Sequence, residues 1–301
     1  MYDVIVIGSG PAGMTAALYA ARSDLKTLLI ERGAPGGQMN NTAEIENYPG
    51  FNSIIGPDLA YKMYEPLARF GVENVYGDVV EVINQGAIKV VKTEDAIYET
   101  KALIIATGAV HRHLNVLGEA EYAGRGVSYC AVCDGAFFRE KELIVVGGGD
   151  SAVEEAIYLT RFASKVTIVH RRDELRAQKI IQERAFKNEK IAFIWDSVVD
   201  EIYGNDKVVT GVKIKNVKTN EMTDVPAGGV FIYVGLDPIT KPFEALEITD
   251  NAGWIVTDNE MKTAVSGIFA VGDVRAKDLR QITTAVGEGG IAGYQVYKYL
   301  Q

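Results

Sequence analysis

Two cysteines, Cys130 and Cys133, lie in the stretch SYCAVCDG, and the chain holds no others. At that spacing two thiols can close a small redox disulfide, supply half of a metal site, or sit inert in a core. The thiolate of such a pair is a nucleophile toward another disulfide, and Cys-x-x-Cys spacing is one way of lowering a thiol pKa. Asp134 follows directly, placed either to move a proton to or from a leaving thiolate or to cap a helix. A metal site is short of donors. Zinc in a closed structural site wants four, and beside the cysteines there are three histidines, of which only His111 and His113 are close together. No metal is expected. A serine hydrolase is also disfavoured, because GGDSAV lacks the second glycine of G-x-S-x-G and Ser151 fits a nucleotide loop instead.

The elements that would deliver electrons to a disulfide occur twice. The chain opens with YDVIVIG, a Val/Ile-rich strand, then GSGPAG at residues 8–13, then the helix-forming MTAALYAARS. This is G-x-G-x-x-G in its required strand–turn–helix setting. Gly8 permits the tight turn, Gly10 lets the backbone approach a pyrophosphate, and Gly13 lets helix and strand pack closely. The helix N-terminus offers free N–H groups to phosphate. KTLLIE then ends in Glu31, about twenty residues on, where an acid binds ribose hydroxyls. The second copy, ELIVVGGGDSAVEEAIYLT, sets Gly147, Gly149 and Ala152 in the same three places, and SKVTIVHRR follows. Each copy closes with a similar strand, ALIIATGA at 102–109 and GVFIYVGLDP at 229–238. The copies differ where the second strand ends. An acid there favours a free 2′-hydroxyl, whereas Arg171, Arg172 and the nearby Arg176 suit a 2′-phosphate. The first unit is therefore expected to bind FAD or NAD, and the second NADP. Near the C-terminus, SGIFAVGDV ends a strand at Asp273, whose carboxylate could accept from ribityl or ribose hydroxyls. A helix is expected from RQITTAVGEGG onward, its start at Arg280 to Thr283 facing a flavin edge.

Composition sets the frame for these motifs. A chain of 301 residues can bury a large core in about two domains. Its net charge of −9 repels a phosphate backbone, so no nucleic acid partner is expected. MYDVIVIGSG has no basic n-region, and no apolar run reaches the ~18 residues of a membrane span. A cytoplasmic protein is expected, in which a lone disulfide is more often catalytic than structural.

In order along the chain, GSGPAG, GGQM with ENYPG, ATGA, GVSYCAVCDGAFF, GGGDSA, HRRDELRA and GIFAVGDV followed by RQ resemble the bacterial low-molecular-weight thioredoxin reductases. The resemblance covers the whole chain. It implies an α/β fold of two Rossmann-like domains, each with a mainly parallel sheet in three layers. A discontinuous FAD domain, 1–113 plus 241–301, would carry an inserted NADPH domain, 114–240, that holds the cysteines. Gly36, Gly37, Gln38, Asn47, Asp273, Arg280 and Gln281 match FAD contacts, and Arg171, Arg172 and Arg176 match the grip on the NADPH phosphate. Cys130 matches the thiol that attacks thioredoxin, Cys133 the flavin-side thiol, and Asp134 the proton relay. Rotation between the domains, near residues 113 and 241, would alternate the disulfide and NADPH at the flavin. A homodimer is implied. The alternatives are a related flavin reductase serving a peroxidase or a small disulfide, and a non-catalytic flavoprotein redox sensor. The pattern is looser at GAVHRHL, and no role follows for His111 or His113.

Overall fold

The computed structural model describes every residue except Ala43, and every side chain except those of Ala43, Val132 and Cys133. The first strand, β1 (Tyr2–Ile7), is apolar and buried over residues 4–7, where both of its faces are covered. It is followed by α1 (Pro11–Arg22), β2 (Thr27–Glu31), α2 (Gly56–Arg69), β3 (Glu73–Tyr76), β4 (Val79–Gln85), β5 (Ile88–Thr93) and β6 (Ile97–Ile105). The short β7 (Ala109–His111) spans the first passage into a second compact unit. That unit contains β8 (Val127–Ser128), α3 (Ala131–Asp134), β9 (Glu142–Gly147), α4 (Asp150–Leu159), β10 (Lys165–Val169) and α5 (Lys179–Phe186). It continues with β11 (Ile191–Ile194), β12 (Ser197–Gly204), β13 (Val209–Asn216), β14 (Met222–Pro226) and β15 (Gly229–Tyr233). The chain returns through β16 (Leu236–Pro238) and ends with β17 (Ile268–Ala270) and α6 (Ile282–Leu300). The compact units are residues 1–110 with 237–301, and residues 111–236.

In the first unit the described strands form a seven-stranded sheet, β3-β2-β1-β6-β5-β4, with β17 also paired to β6. β1, β2, β3, β6 and β17 run parallel, while β4 and β5 turn back as antiparallel neighbours. Period-two alternation splits each buried strand between two cores. Val4, Val6, Leu29, Ile104 and Phe269 face α1, α2 and α6, whereas Ile5, Ile7, Leu28, Ile105 and Ile268 pack with Val82, Val91 and Phe243. The helices α1 and α6 approach closely because small residues line the contact: a Cβ on Gly289 would lie 2.3 Å from the Ala12 carbonyl oxygen.

The second unit repeats this logic. Its described strands give a five-stranded parallel sheet, β11-β10-β9-β15-β8, and a three-stranded antiparallel sheet, β12-β13-β14. Leu143, Val145, Ile168 and Phe231 face α4 and α5, while Ile144, Val146, Val169 and Ile232 pack on Val199, Ile202, Val212 and Ile214 of the antiparallel sheet. Helices, parallel sheet and a β layer make three layers. One expectation is corrected. GVFIYVGLDP reads as a single strand, but β15 stops at Tyr233 and β16 begins at Leu236, because Gly235 between them turns at φ +132°.

Candidate active site

The first glycine turn is a cradle that only glycine can build. Gly8 sits at φ +99°, and a Cβ on it would lie 2.4 Å from the Ala106 carbonyl oxygen at the end of β6. A Cβ on Gly13 would lie 1.9 Å from the Gly8 oxygen. Gly10 is the opposite case: nothing lies within 4 Å of its missing Cβ, and it caps α1, with Pro11 following at the first helical positions. The N–H groups of the first turn of α1 are left for an anion. Glu31 ends β2 beside this turn. Its Oε2 accepts from the Ser9 backbone N–H and hydroxyl, both at 2.7 Å, and its Oε1 from Gly33 N–H at 2.9 Å. The Gly36–Gln38 segment closes the cradle: Gly36 N–H donates to the Ser9 oxygen at 2.8 Å, and Gly37 lies against Gly10.

Asp273 reaches the same unit from far along the chain. It lies in the turn Gly272–Val274, and a Cβ on Gly272 would stand 2.8 Å from that of Ala12. Its Oδ1 is buried with no hydrogen-bond partner among the described residues, the nearest cation being Lys277 Nζ at 3.4 Å. Burial pushes its carboxyl above the ordinary range, against the pull of Lys277 and Arg280. Arg280 donates to the backbone oxygens of Asp273 and Arg275 and lies over the Trp254 ring, 3.8 Å from its centroid. Gln281 caps α6 by a reciprocal capping box with Thr284, and its Oε1 accepts from Asn47 at 3.0 Å. Gln38 donates to the Ala109 oxygen at 3.1 Å. A buried acceptor without a donor, beside a cradle that a Cβ would fill, fits a hydroxyl-bearing dinucleotide such as FAD.

The second cradle differs in its walls. Gly147, at φ +149°, would place a Cβ 2.4 Å from the Tyr233 oxygen, and Gly149, capping α4, faces open space. Ala152 is fully buried in the third position. The arginine segment is tied to this turn: Arg176 N–H donates to the Gly148 oxygen at 2.7 Å, and Gln178 N–H to Asp150 Oδ1 at 2.7 Å. Arg171, Arg172 and Arg176 are all exposed. His170 is buried against Gly148, and its Nε2 has no partner among the described residues. Burial first, then the positive charges of Arg176, Arg171 and Arg172, hold its ring below the usual histidine range, and so neutral at physiological pH. Exposed arginines on a segment tied to an open helix start fit a phosphorylated dinucleotide such as NADPH.

The same unit carries the cysteines. Cys130 is half-buried, disulfide-bonded, and sits between β8 and α3. The side chain of Cys133 lies outside the described residues. Asp134 Oδ2 accepts from the Ser128 hydroxyl at 2.7 Å, and the Ser128 oxygen accepts from Cys130 N–H at 3.0 Å. Sequence reading missed Ser128, although its position two residues before Cys130 was a signal. It also missed Tyr233, whose hydroxyl accepts from Ala131 N–H at 3.0 Å, and Glu155. Burial, with Glu154 adding, pushes the Glu155 carboxyl up to about 8, and its Oε2 is unpartnered among the described residues.

Residues 2–289 match the family model of the pyridine nucleotide-disulphide oxidoreductases. The thioredoxin reductase of Listeria monocytogenes is 62% identical over 301 residues, covering 100% of this chain and 94% of that protein. The crystal structure of Lactococcus lactis thioredoxin reductase, in its FR conformation, is 65% identical and superposes with a TM-score of 0.99, covering 100% of this chain and 99% of that one. That of Streptococcus pyogenes thioredoxin reductase is 68% identical, covers 100% of this chain and 98% of that one, and gives a TM-score of 0.68. The chain belongs to the pyridine nucleotide-disulphide oxidoreductases, and within them to the thioredoxin reductases. It is an oxidoreductase whose cofactors are FAD and NADPH.

Proposed function

We propose that this chain carries electrons from NADPH through FAD to a Cys130–Cys133 disulfide, and from there to the disulfide of oxidised thioredoxin. The observation that carries the reading is a disulfide-bonded Cys130 in the same unit as the arginine-flanked glycine cradle. Cys133 is its partner in this reading, being the other cysteine of the chain. Reducing a disulfide takes two electrons and two protons. NADPH brings a hydride and the medium the second proton, so NADPH, H⁺ and a disulfide become NADP⁺ and a dithiol. FAD, when bound, supplies a two-electron relay between nicotinamide and sulfur.

The chain's own groups then divide the work. Cys130, as thiolate, attacks thioredoxin, its sulfur joining one thioredoxin sulfur as the other leaves. Cys133, the flavin-side thiol, then attacks the Cys130 sulfur, re-forming the Cys130–Cys133 disulfide and releasing the remaining thioredoxin sulfur as a thiolate. Asp134, oriented by Ser128, moves a proton to or from the leaving thiolate. Gly8, Gly10, Gly13, Glu31, Gly37, Gln38, Asn47, Asp273, Arg280 and Gln281 hold FAD. Gly147, Gly149, Ala152, Arg171, Arg172 and Arg176 hold NADPH. The discontinuous unit is thus the FAD domain and the inserted unit the NADPH domain.

Rotation between the domains lets disulfide and nicotinamide alternate at the flavin. Its support is the pair of relatives above. At 65% and 68% identity they give TM-scores of 0.99 and 0.68, a spread that sequence divergence does not produce. No helix among the described residues is long and apolar enough to cross a membrane. A cytoplasmic homodimer without nucleic acid is the setting in which we place this activity, on the family resemblance and the acidic charge. NADPH oxidation by the FAD-loaded protein, with and without oxidised thioredoxin, tests the reading. Turnover that needs thioredoxin supports it. Flavin reduction without thioredoxin reduction keeps the cofactors and removes the partner.

A further inference from the structure

The two histidines to which sequence assigned no role flank the point where the chain has just entered the second unit, and one of them reaches the residue next to Cys130. Glu119 is 4% exposed, yet its carboxylate is well supplied with donors. It accepts from Leu114 N–H at 2.9 Å, from Asn115 N–H at 2.6 Å and from the Tyr129 hydroxyl at 2.6 Å. Asn115 takes φ +59°, a left-handed conformation that asparagine tolerates better than most residues, where both N–H groups of the turn meet one carboxylate. Burial alone would raise the Glu119 carboxyl, but the hydrogen bonds from Tyr129, Leu114 and Asn115 outweigh it and hold the group below its ordinary value.

His113 completes the cluster. Its Nδ1 lies 2.7 Å from the Tyr129 oxygen, and the two rings meet edge to face with centroids 5.0 Å apart. A phenol has one proton, and Tyr129 gives it to Glu119. His113 must therefore donate from Nδ1, which it can do in its Nδ1–H neutral form or as the cation. The chain of hydrogen bonds survives either charge state. On the far side of Tyr129, Ser128 holds the backbone N–H of Cys130. Residues 113–115, 119 and 128–130 are thus braced as one piece.

Resting on the function proposed above, we propose that the Tyr129 hydroxyl, clasped between Glu119 and His113, is a positioning element that fixes how Cys130 is presented to a protein disulfide. Attack on a disulfide held in a bulky partner needs the sulfur atoms in line, and a loosened β8–α3 junction loses that alignment. A small alkylating reagent comes to the thiol from any open direction and needs no such alignment.

The test compares wild type with Tyr129→Phe, which keeps the ring and loses the hydroxyl, and with His113→Asn and His113→Ala. Asparagine retains a donor at the δ position and alanine does not. Tyr129→Phe should lower kcat/KM for thioredoxin about tenfold, as expected for a lost charge-assisted hydrogen bond. Flavin reduction by NADPH, and the rate at which iodoacetamide modifies Cys130 in the dithiothreitol-reduced protein, should stay at wild-type values. His113→Ala should fall in the same direction, and His113→Asn should recover most of the loss. Wild-type kinetics with thioredoxin in Tyr129→Phe would overturn the proposal. So would an equal fall in alkylation, which would make Tyr129 a modulator of thiol chemistry or of folding. Wild-type protein that leaves thioredoxin oxidised would remove the function on which the proposal rests, a failure distinct from that of the clasp.

Discussion

The two glycine cradles share a plan and differ in what surrounds them. In the first, an acid at the end of β2 turns back onto its own loop, accepting from Ser9 and Gly33, and a buried aspartate arrives from residue 273 with an oxygen that has no hydrogen-bond partner among the described residues and faces Lys277 at 3.4 Å. In the second, the end of β10 meets a neutral buried histidine and three exposed arginines, and a disulfide-bonded cysteine shares the unit. Strand, turn and helix supply the same anion-binding geometry in both. In the reading proposed above, the side chains at the end of the second strand set which dinucleotide is accepted. The difference teaches that specificity is an added layer, separable from the cradle by mutation.

The sharpest separation comes from Cys130→Ser. Turnover with thioredoxin should fall by about 10³-fold or more, as for loss of a nucleophile. Flavin reduction by NADPH, followed by bleaching of the visible absorbance in stopped flow, should persist. Loss of both would mean the units are not functionally divided as proposed. Next in size is the third position of each cradle. Gly13→Ala places a methyl 1.9 Å from the Gly8 oxygen and should cost about 1–3 kcal/mol by overpacking, with loss of FAD on gel filtration. The counterpart Ala152→Gly should cost only about 0.5–1 kcal/mol, the usual penalty of glycine in a helix. Equal effects in thermal melts would show that the cradles are not the unequal pair their packing suggests.

A smaller effect is expected of the arginines. Arg171→Ala with Arg172→Ala should raise KM for NADPH about tenfold or more while leaving KM for NADH nearly unchanged, since only the 2′-phosphate contacts are lost. Parallel increases for both nucleotides would assign the arginines to folding. The smallest effect is a slope in pH. The Glu155 carboxyl is raised to about 8 in the folded protein, above its ordinary 4.5, so the folded state binds more protons than the unfolded one between those values. The stability this group contributes is present below about 4.5 and is lost as pH rises through about 8. Glu155→Gln should therefore raise Tm by about 2–4 °C at pH 9 and leave it nearly unchanged at pH 4.5. A Tm gain independent of pH would mean the group is not buried and neutral.

Much of this was readable from sequence for a physical reason. Gly8, Gly10 and Gly13 betray themselves because a tight turn between strand and helix leaves no room for Cβ. β1 and β9 betray themselves because the stretches buried on both faces, residues 4–7 and 143–146, must be apolar. Where a glycine breaks an apolar run, as at Gly235, sequence cannot tell a continuous strand from two short ones. The crossings between units, read near residues 113 and 241, correspond to compact units that change a few residues earlier, because no composition shift marks a junction between packed strands.

The sequence by itself determined the paired thiols, the two strand–turn–helix units and the contrast of Glu31 with Arg171 and Arg172, since these depend on neighbours within about twenty residues. Only the tertiary structure decided that Asp273 stands near the first cradle, that Glu155 is buried, and that His113 and Glu119 grip Tyr129. Burial and hydrogen-bond partners are set by chain segments far apart in sequence, and their physical consequences appear only when those segments pack.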